Sequence, residues 1–201
     1  LDEIVAGEKI TSKLNKLSSI MKKGGIHNMF ISAPENCAWL LNIRGYDNPN
    51  SPIPNCHLLL NDKKEIHLIT NKKKVVNLIK DKKINLNQII EPENFEILVN
   101  SIKNKKIIID QKTCSLFYEN ILRKNFIVLK KEDPIYLLKS IKNKTEIQHM
   151  VNSHIIDGVA LTKFIYWIKN INKKKITEFD AQNKLEKFRR RNKKYLFPSF
   201  N

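Results

Sequence analysis

Apolar residues at Ile10, Leu14, Leu17 and Met21 recur at steps of three and four, predicting one amphipathic helix over about residues 4–21. Gly24-Gly25 supplies its stop. Met29-Phe30-Ile31 reads as a short buried strand, and Pro34 opens a helical turn reaching Leu41. Residues 56–60 and 65–69 form a hairpin pattern around the polar Asn61-Asp62-Lys63-Lys64. The pattern then alternates: helix at 73–80, extended chain at 88–90, helix at 95–102 and a β-branched strand at 106–109. Another helix at 115–123 and a strand at 126–129 complete it. Alternation of this kind predicts an α/β layer, with helices packed on a mixed sheet.

The texture changes near Asp133-Pro134. From Thr145 no strand pattern returns until about Leu196. Ile147, Met150, Val151, Ile155, Leu161, Phe164, Ile165 and Ile168 make one stripe of a long helix, with Thr145 placed to cap it. Residues 170–175 break the pattern and 177–192 resume it as a second helix. The expected division is 1–133 and 134–201.

Composition narrows the function classes. A hydrophobic content of 41% over 201 residues suits one large or two small domains with a real core. No apolar run is long enough for a membrane helix, which needs about 18 residues or more. No signal peptide is visible, and a chain that starts with Leu is expected to be a fragment or a processed product. Cys37, Cys56 and Cys114 are widely spaced and read as reduced thiols of a cytoplasmic protein. The net charge of +17 invites a nucleic-acid reading, yet only five of the 37 basic residues are Arg. Base readout leans on Arg, and the scattered lysines flank loops and helix ends, so no nucleic-acid partner is expected.

One segment carries more information than the rest: Ala38-Trp39-Leu40-Leu41-Asn42-Ile43-Arg44-Gly45, then Asp47 and Pro52. A second block holds Lys142-Asn143, Thr145-Glu146-Ile147, His154, Asp157-Gly158-Val159-Ala160, Phe164 and Trp167. A third is Thr177-Glu178 with Leu185-Glu186 and Phe188-Arg189. Together, in this order, they resemble the aminopeptidase P (Xaa-Pro aminopeptidase) family. The resemblance covers the creatinase-like amino-terminal (middle) domain and the first helices of a truncated α+β "pita-bread" catalytic domain. It implies a cytoplasmic, homodimeric metallopeptidase that releases the residue preceding a proline, using two divalent ions, usually manganese. Its metal ligands, two Asp, one His and two Glu, fall in the part of the family beyond Asn201. A fragment without them is expected to be inactive and to bind no metal. Tyr46, His57 and Asn201 depart from the family pattern, which leaves the subtype open.

The residues themselves agree that little chemistry resides here. His149 and His154 are five apart, about 140° around a helix, too far round to share a metal, and read as structural. Gly158, mid-helix, is expected to mark a close contact with another element. His57 and His67 read as half-buried strand residues, and Asp110 as a cap for the helix that follows. Ser115 lacks the glycines of a nucleophile elbow. Arg189-Arg190-Arg191 sits where a helix dipole favours cations, as a solvated end or partner contact. Arg44 and Asp47 remain the candidates for substrate binding or an interface. Gly45 is expected to adopt backbone angles closed to other residues, and the nearby prolines to stiffen the loop. Arg44 could fork onto a substrate carboxylate or pair internally with Asp47. Two other classes stay open: a non-catalytic creatinase-like binding module and, on charge alone, a basic nucleic-acid binder.

Overall fold

The structure is a computed structural model that describes residues 1–102, 105–171 and 175–198. The chain divides into two compact units, one of Leu1–Asn48 with Pro52–Ile141, the other of Pro49–Ser51 with residues 142–201.

The first unit is built on a six-stranded mixed sheet. Its strands are β1 (Asn28–Ile31), β2 (His57–Asn61), β3 (Ile66–Ile69), β4 (Ile89–Ile90), β5 (Lys105–Ile109) and β6 (Phe126–Lys130). Their spatial order is β4-β3-β2-β1-β5-β6. The β1–β2 and β2–β3 pairs are antiparallel, while β1–β5, β5–β6 and β3–β4 are parallel. Period-two alternation sends Met29, Ile31, Leu58, Leu60, Leu68 and Ile108 into one core. Phe30, Leu59, Ile69, Ile107 and Ile109 enter the other. Covering both faces explains why strands such as Met29-Phe30-Ile31 and Ile107-Ile108-Ile109 are apolar without interruption.

Helices α2 (Ile10–Lys23) and α3 (Pro34–Leu40) fill the first core with Leu14, Leu17, Met21, Cys37 and Leu40. The second receives Phe95 and Val99 from α5 (Phe95–Asn100), and Ile121 and Leu122 from α6 (Leu116–Arg123). The expected single amino-terminal helix is in fact two, because Gly7 at φ 71° ends α1 (Glu3–Ala6). Gly25, at φ 60°, closes α2: its amide bonds the Lys22 carbonyl and the Ile26 amide bonds Met21. Residues 73–80 begin as a 3-10 turn at Lys72–Val75 and continue as α4 (Val76–Lys80). The extended piece at 88–90 is limited to Ile89–Ile90, since Leu86–Gln88 is a 3-10 turn.

Helix α7 (Ile135–Ser140) belongs with this sheet. Ile135 is fully buried in the first core. The buried Asp133 carboxylate accepts from Asn36 Nδ2 at 2.7 Å and from the Ile135 amide at 2.8 Å. Lys139 Nζ then reaches Asn36 Oδ1 at 2.6 Å.

The second unit is a hairpin of α8 (Lys144–Asn170) and α9 (Glu178–Arg189). Asn143, not Thr145, caps α8: its side chain accepts from the Glu146 amide while Glu146 reaches back to the Asn143 amide. Asparagine one residue before the helix has the extended backbone a cap needs, whereas Thr145 is already inside it. Thr177 and Asp180 form the same box on α9. Asp157 on α8 takes Arg189 of α9 in two hydrogen bonds, at 2.6 and 3.1 Å. Only Ala160 of α8 is buried, and Ile147, Met150, Val151, Ile155, Leu161 and Ile165 are each 41–60% exposed. A Cβ placed on Gly158 would meet nothing within 4 Å, so the expected close contact at Gly158 is not made in this structure. Leu196 lies in irregular chain, not in a strand. Of the expected break at 170–175, residues 172–174 lie outside the described residues.

Candidate functional site

The Trp39–Arg44 stretch leaves α3 and must turn at once. Asn42 makes the turn in the left-handed region, at φ 51°, a conformation asparagine tolerates better than most. Its side chain works on both sides. Asn42 Oδ1 accepts from Lys13 Nζ at 2.7 Å, and Asn42 Nδ2 donates to the Glu8 carbonyl at 2.9 Å. Lys13 also donates to the Trp39 carbonyl at 2.8 Å, and its nitrogen lies 4.0 Å from the Trp39 ring centre. Lys13 is only 2% exposed. A buried ammonium needs such partners, since desolvation without them is expensive. Trp39 and Asn42 therefore fasten α2 to the chain that follows α3. Sequence reasoning passed over Lys13, although its position between Ile10 and Leu14 on the apolar stripe was the available signal.

The loop beyond carries both sequence candidates. Gly45 donates its amide to the Pro52 carbonyl at 2.9 Å. A Cβ there would stand 2.7 Å from Pro54 Cβ and 2.8 Å from Pro54 Cα, closer than carbon atoms approach. Glycine is thus required by contact with Pro54; Gly45 is not among the positive-φ residues, which corrects the expectation of unusual backbone angles. Asp47 is gripped twice, by Lys74 Nζ at 2.8 Å and by the Asn55 amide at 2.6 Å. Burial alone would push the Asp47 carboxyl up, but Lys74 and the Asn55 amide hold it below its ordinary range. Lys74 is one of the scattered lysines that flank loops and helix ends, and nothing in its spacing marked it as Asp47's partner. The Arg44 side chain is exposed and donates from Nη1 to the Ile43 carbonyl at 2.8 Å. Tyr46 beside it is 83% exposed. The braced loop thus presents a guanidinium and a phenol while Asp47 is committed to the scaffold.

The remaining candidates separate. His57 and His67 are half-buried as expected, and β2–β3 register sets them against Ile69 and Leu59. His57 Nδ1 lies 2.9 Å from the Ser32 carbonyl, so that nitrogen carries the proton. Burial lowers its pKa, against the raising effect of that bond, and burial also lowers His67. Asp110 does not cap the next helix. It accepts from the Lys112 amide at 2.9 Å and the Asp133 amide at 3.0 Å, closing the turn after β5. Ser115 is the cap of α6. Cys37 and Cys56 are buried free thiols, and burial pushes the half-buried Cys114 thiol up to about 11.

His149 and His154 are both exposed, with His154 Nδ1 at 2.8 Å from the Met150 carbonyl. Among the described residues no three His, Cys, Asp or Glu side chains converge as a metal site requires, so the residues present do not fit a metal centre. In the arginine cluster Arg189 is half-buried, while Arg190 and Arg191 are exposed, as expected of a solvated helix end. Arg189 holds Asp157, Arg190 holds Glu186 at 2.8 Å, and Arg191 lies 5.2 Å from the Phe188 ring centre. Among the described residues, no helix is long and apolar enough to cross a membrane.

A braced loop on a mixed sheet with both faces covered, followed by a capped helical hairpin, defines the class. The chain belongs to the creatinase/prolidase N-terminal domain family, which matches residues 1–146. Among curated relatives, Xaa-Pro aminopeptidase 1 of Dictyostelium discoideum is 34% identical over 206 residues, covering 100% of this chain and 32% of the relative. Xaa-Pro aminopeptidase ApepP of Drosophila melanogaster is 29% identical, covering 97% of this chain and 33% of the relative. The chain spans about a third of the length of these relatives. Its fold matches the X-prolyl aminopeptidase of Caenorhabditis elegans, described as a cytosolic enzyme with a di-nuclear active site. That match has a TM-score of 0.83 and 24% identity, over 100% of this chain and 34% of that one.

Proposed function

We propose that this chain is part of a metal-dependent Xaa-Pro aminopeptidase, an enzyme that releases an amino-terminal residue preceding proline. The observation that carries this is the match along the whole chain to Xaa-Pro aminopeptidase 1 of Dictyostelium discoideum, at 34% identity. Residues 1–141 are read as the creatinase-like amino-terminal (middle) domain, since α7 packs on its sheet, and 142–201 as the beginning of the pita-bread domain, a later boundary than the expected division at 133. In the longer protein two divalent ions, manganese by family resemblance, would activate water and polarise the scissile carbonyl. None of the residues described here is assigned to holding them. This chain's own contribution is scaffold and positioning. Arg44 is exposed beside the loop braced by Gly45, Asp47, Pro54 and Lys74, and its planar fork is of the kind that suits a carboxylate of the substrate or of a neighbouring subunit. The longer protein is read as a cytoplasmic homodimer acting on peptides, and the 201-residue chain alone as inactive.

The test compares two proteins, each supplied with manganese and an Xaa-Pro peptide. The longer polypeptide releases the first residue and loses that activity to a chelator, whereas the 201-residue chain releases none. Chelator-sensitive hydrolysis by the 201-residue chain would overturn the assignment of the metal centre to the rest of the protein. Absence of activity from the longer polypeptide would overturn the enzyme reading and leave a binding module.

A further inference from the structure

Strands β1, β3, β5 and β6 all begin at one end of the sheet, where the β2–β3 turn and the carboxyl end of α2 also lie. The segments that meet there are Lys22-Lys23-Gly24-Gly25-Ile26-His27, Asn61-Asp62-Lys63-Lys64-Glu65 and Lys105-Lys106. Backbone bonds join all three: the Asp62 amide donates to the His27 carbonyl at 2.9 Å, and the His27 amide to the Lys106 carbonyl at 3.3 Å. Lys22, Lys23, His27, Lys63, Lys64 and Lys106 are exposed. The acids of these segments are Asp62 and Glu65, and Glu65 accepts from Asn61 Nδ2 at 2.5 Å. Lys64 donates to Asn15 Oδ1 at 2.8 Å. Among the described residues, no ion pair neutralises Lys22, Lys23, Lys63 or Lys106. At the other end of the sheet lysines meet carboxylates: Lys74 with Asp47 at 2.8 Å, Lys112 with Glu132 at 3.3 Å and Lys130 with Glu119 at 3.0 Å. The dipole of α2 accounts for Lys22 and Lys23 at its end, but not for Lys63, Lys64 or Lys106.

We infer that this lysine rim is a peripheral contact surface for an anionic lipid bilayer, held by charge alone. Strands about 4.8 Å apart spread the cations over roughly 15 Å of the sheet's end, so several face one charged plane together. Each lysine beside an anionic bilayer strengthens binding about fivefold, and the effects multiply. Composition selects lipid over nucleic acid. A lysine ammonium is a compact, hydrated point charge on a flexible stem, suited to a diffuse layer of headgroups, whereas base edges are read by the planar fork of arginine. The three segments contain no arginine, and no aromatic residue on which an unpaired base could stack. Such a contact needs no membrane-spanning helix.

Vesicle sedimentation tests this on the 201-residue chain and on the longer polypeptide. Both should bind vesicles of phosphatidylcholine with about 30% phosphatidylserine and ignore pure phosphatidylcholine. Binding should weaken at least about tenfold between roughly 0.1 and 1 M salt, as the Debye length shrinks from about 10 to 3 Å. Lys22→Gln, Lys23→Gln, Lys63→Gln and Lys106→Gln combined should weaken it roughly a hundredfold or more. A control removes the same charge from the opposite end, by Lys72→Gln, Lys73→Gln, Lys112→Gln and Lys131→Gln, and should weaken it less than about tenfold. All of these side chains are exposed, so both variants should keep the near-ultraviolet circular dichroism of the parent. Equal losses in the two variants, or no binding to the acidic vesicles, would overturn the inference. Binding by the 201-residue chain but not by the longer polypeptide would do the same, because the rest of the protein would then cover the rim. A mixed-sequence RNA duplex bound more tightly than the acidic vesicles at equal salt would overturn it in favour of a nucleic acid. None of these readouts uses catalysis, so the enzyme reading stands or fails separately.

Discussion

The two units obey different rules from similar raw material. In the first, apolar residues go inside: Leu17, Phe95, Leu122 and Ile135 are each fully buried, and every strand of the sheet has neighbours. In the second, apolar residues of equal size stand half in water while the hairpin is held by its caps and by Asp157–Arg189. Local signals suffice to make a helix, but burial is what makes a domain. The contrast predicts very unequal sensitivity to truncation. Phe95→Ala, which empties a fully buried site, should cost about 3–5 kcal/mol. Ile155→Ala on α8 should change the stability of the same chain by no more than about 0.5 kcal/mol. Urea unfolding of both variants checks the pair, and similar losses would erase the distinction between the units.

Next in size is Gly45. With a Cβ 2.7 Å from Pro54, Gly45→Ala forces loop and proline apart. The expected loss is about 1–3 kcal/mol, as for overpacking in a core. Gly158→Ala is its counterpart in the second unit and should be neutral or stabilising in this chain, by up to about 1 kcal/mol. Two glycines that look alike in sequence thus part company by sign, and thermal unfolding reads both.

How much of this was legible beforehand follows from what each feature depends on. The strands and the helices at 34–41, 95–102 and 115–123 are set by period, propensity and stop signals within a few residues, and they stand where the pattern put them. Gly7 was missed because a positive-φ cap three residues ahead of an apolar stripe looks like a helix interior. Asn143 was missed because Thr145 offered a second plausible cap two residues on. The candidate loop was visible as a motif, but its wiring was not. Lys13 to Asn42 and Lys74 to Asp47 join residues 29 and 27 positions apart, and only the folded sheet brings them together. The exposure of α8 could not be read at all, since its pattern is the same whether or not something covers it.

A smaller effect separates the two ways the units are held at their ends. Thr177 caps α9 by accepting from the Asp180 amide at 3.2 Å. Thr177→Ala should cost about 1 kcal/mol of helix stability. Because α9 has no buried residue to compensate, the loss should appear as lower helicity by circular dichroism at 25 °C, the near-ultraviolet signal of the first unit being unchanged. Ser115→Ala, at the cap of α6 in the first unit, should lower the unfolding midpoint without loss of helicity, since Ile121 and Leu122 hold that helix on the core. If both variants lost helicity alike, α6 would be no better anchored than α9.

The smallest expected effect is also the one closest to the candidate site. Asp47 has its carboxyl held below its ordinary range by Lys74 and the Asn55 amide against the opposing pull of burial. A folded-state pKa below the unfolded value, about 3.9, means that the folded state favours the ionised form. Its stabilisation is therefore complete above that value and disappears as pH falls through the folded-state pKa. The Asp47–Lys74 pair is partly exposed, so the contribution should be no more than about 1 kcal/mol. Asp133 runs the other way. Burial raises its pKa despite the Ile135 amide and Asn36, so it favours folding most in acid and loses that contribution as pH rises through the raised value. Lys74→Ala should flatten the acid limb of a stability–pH curve between about pH 5 and 2 while leaving the Asp133 contribution in place. An unchanged acid limb in Lys74→Ala would mean that Asp47 is held by the Asn55 amide alone, and the brace behind Arg44 would then be the backbone of the loop and not its ion pair.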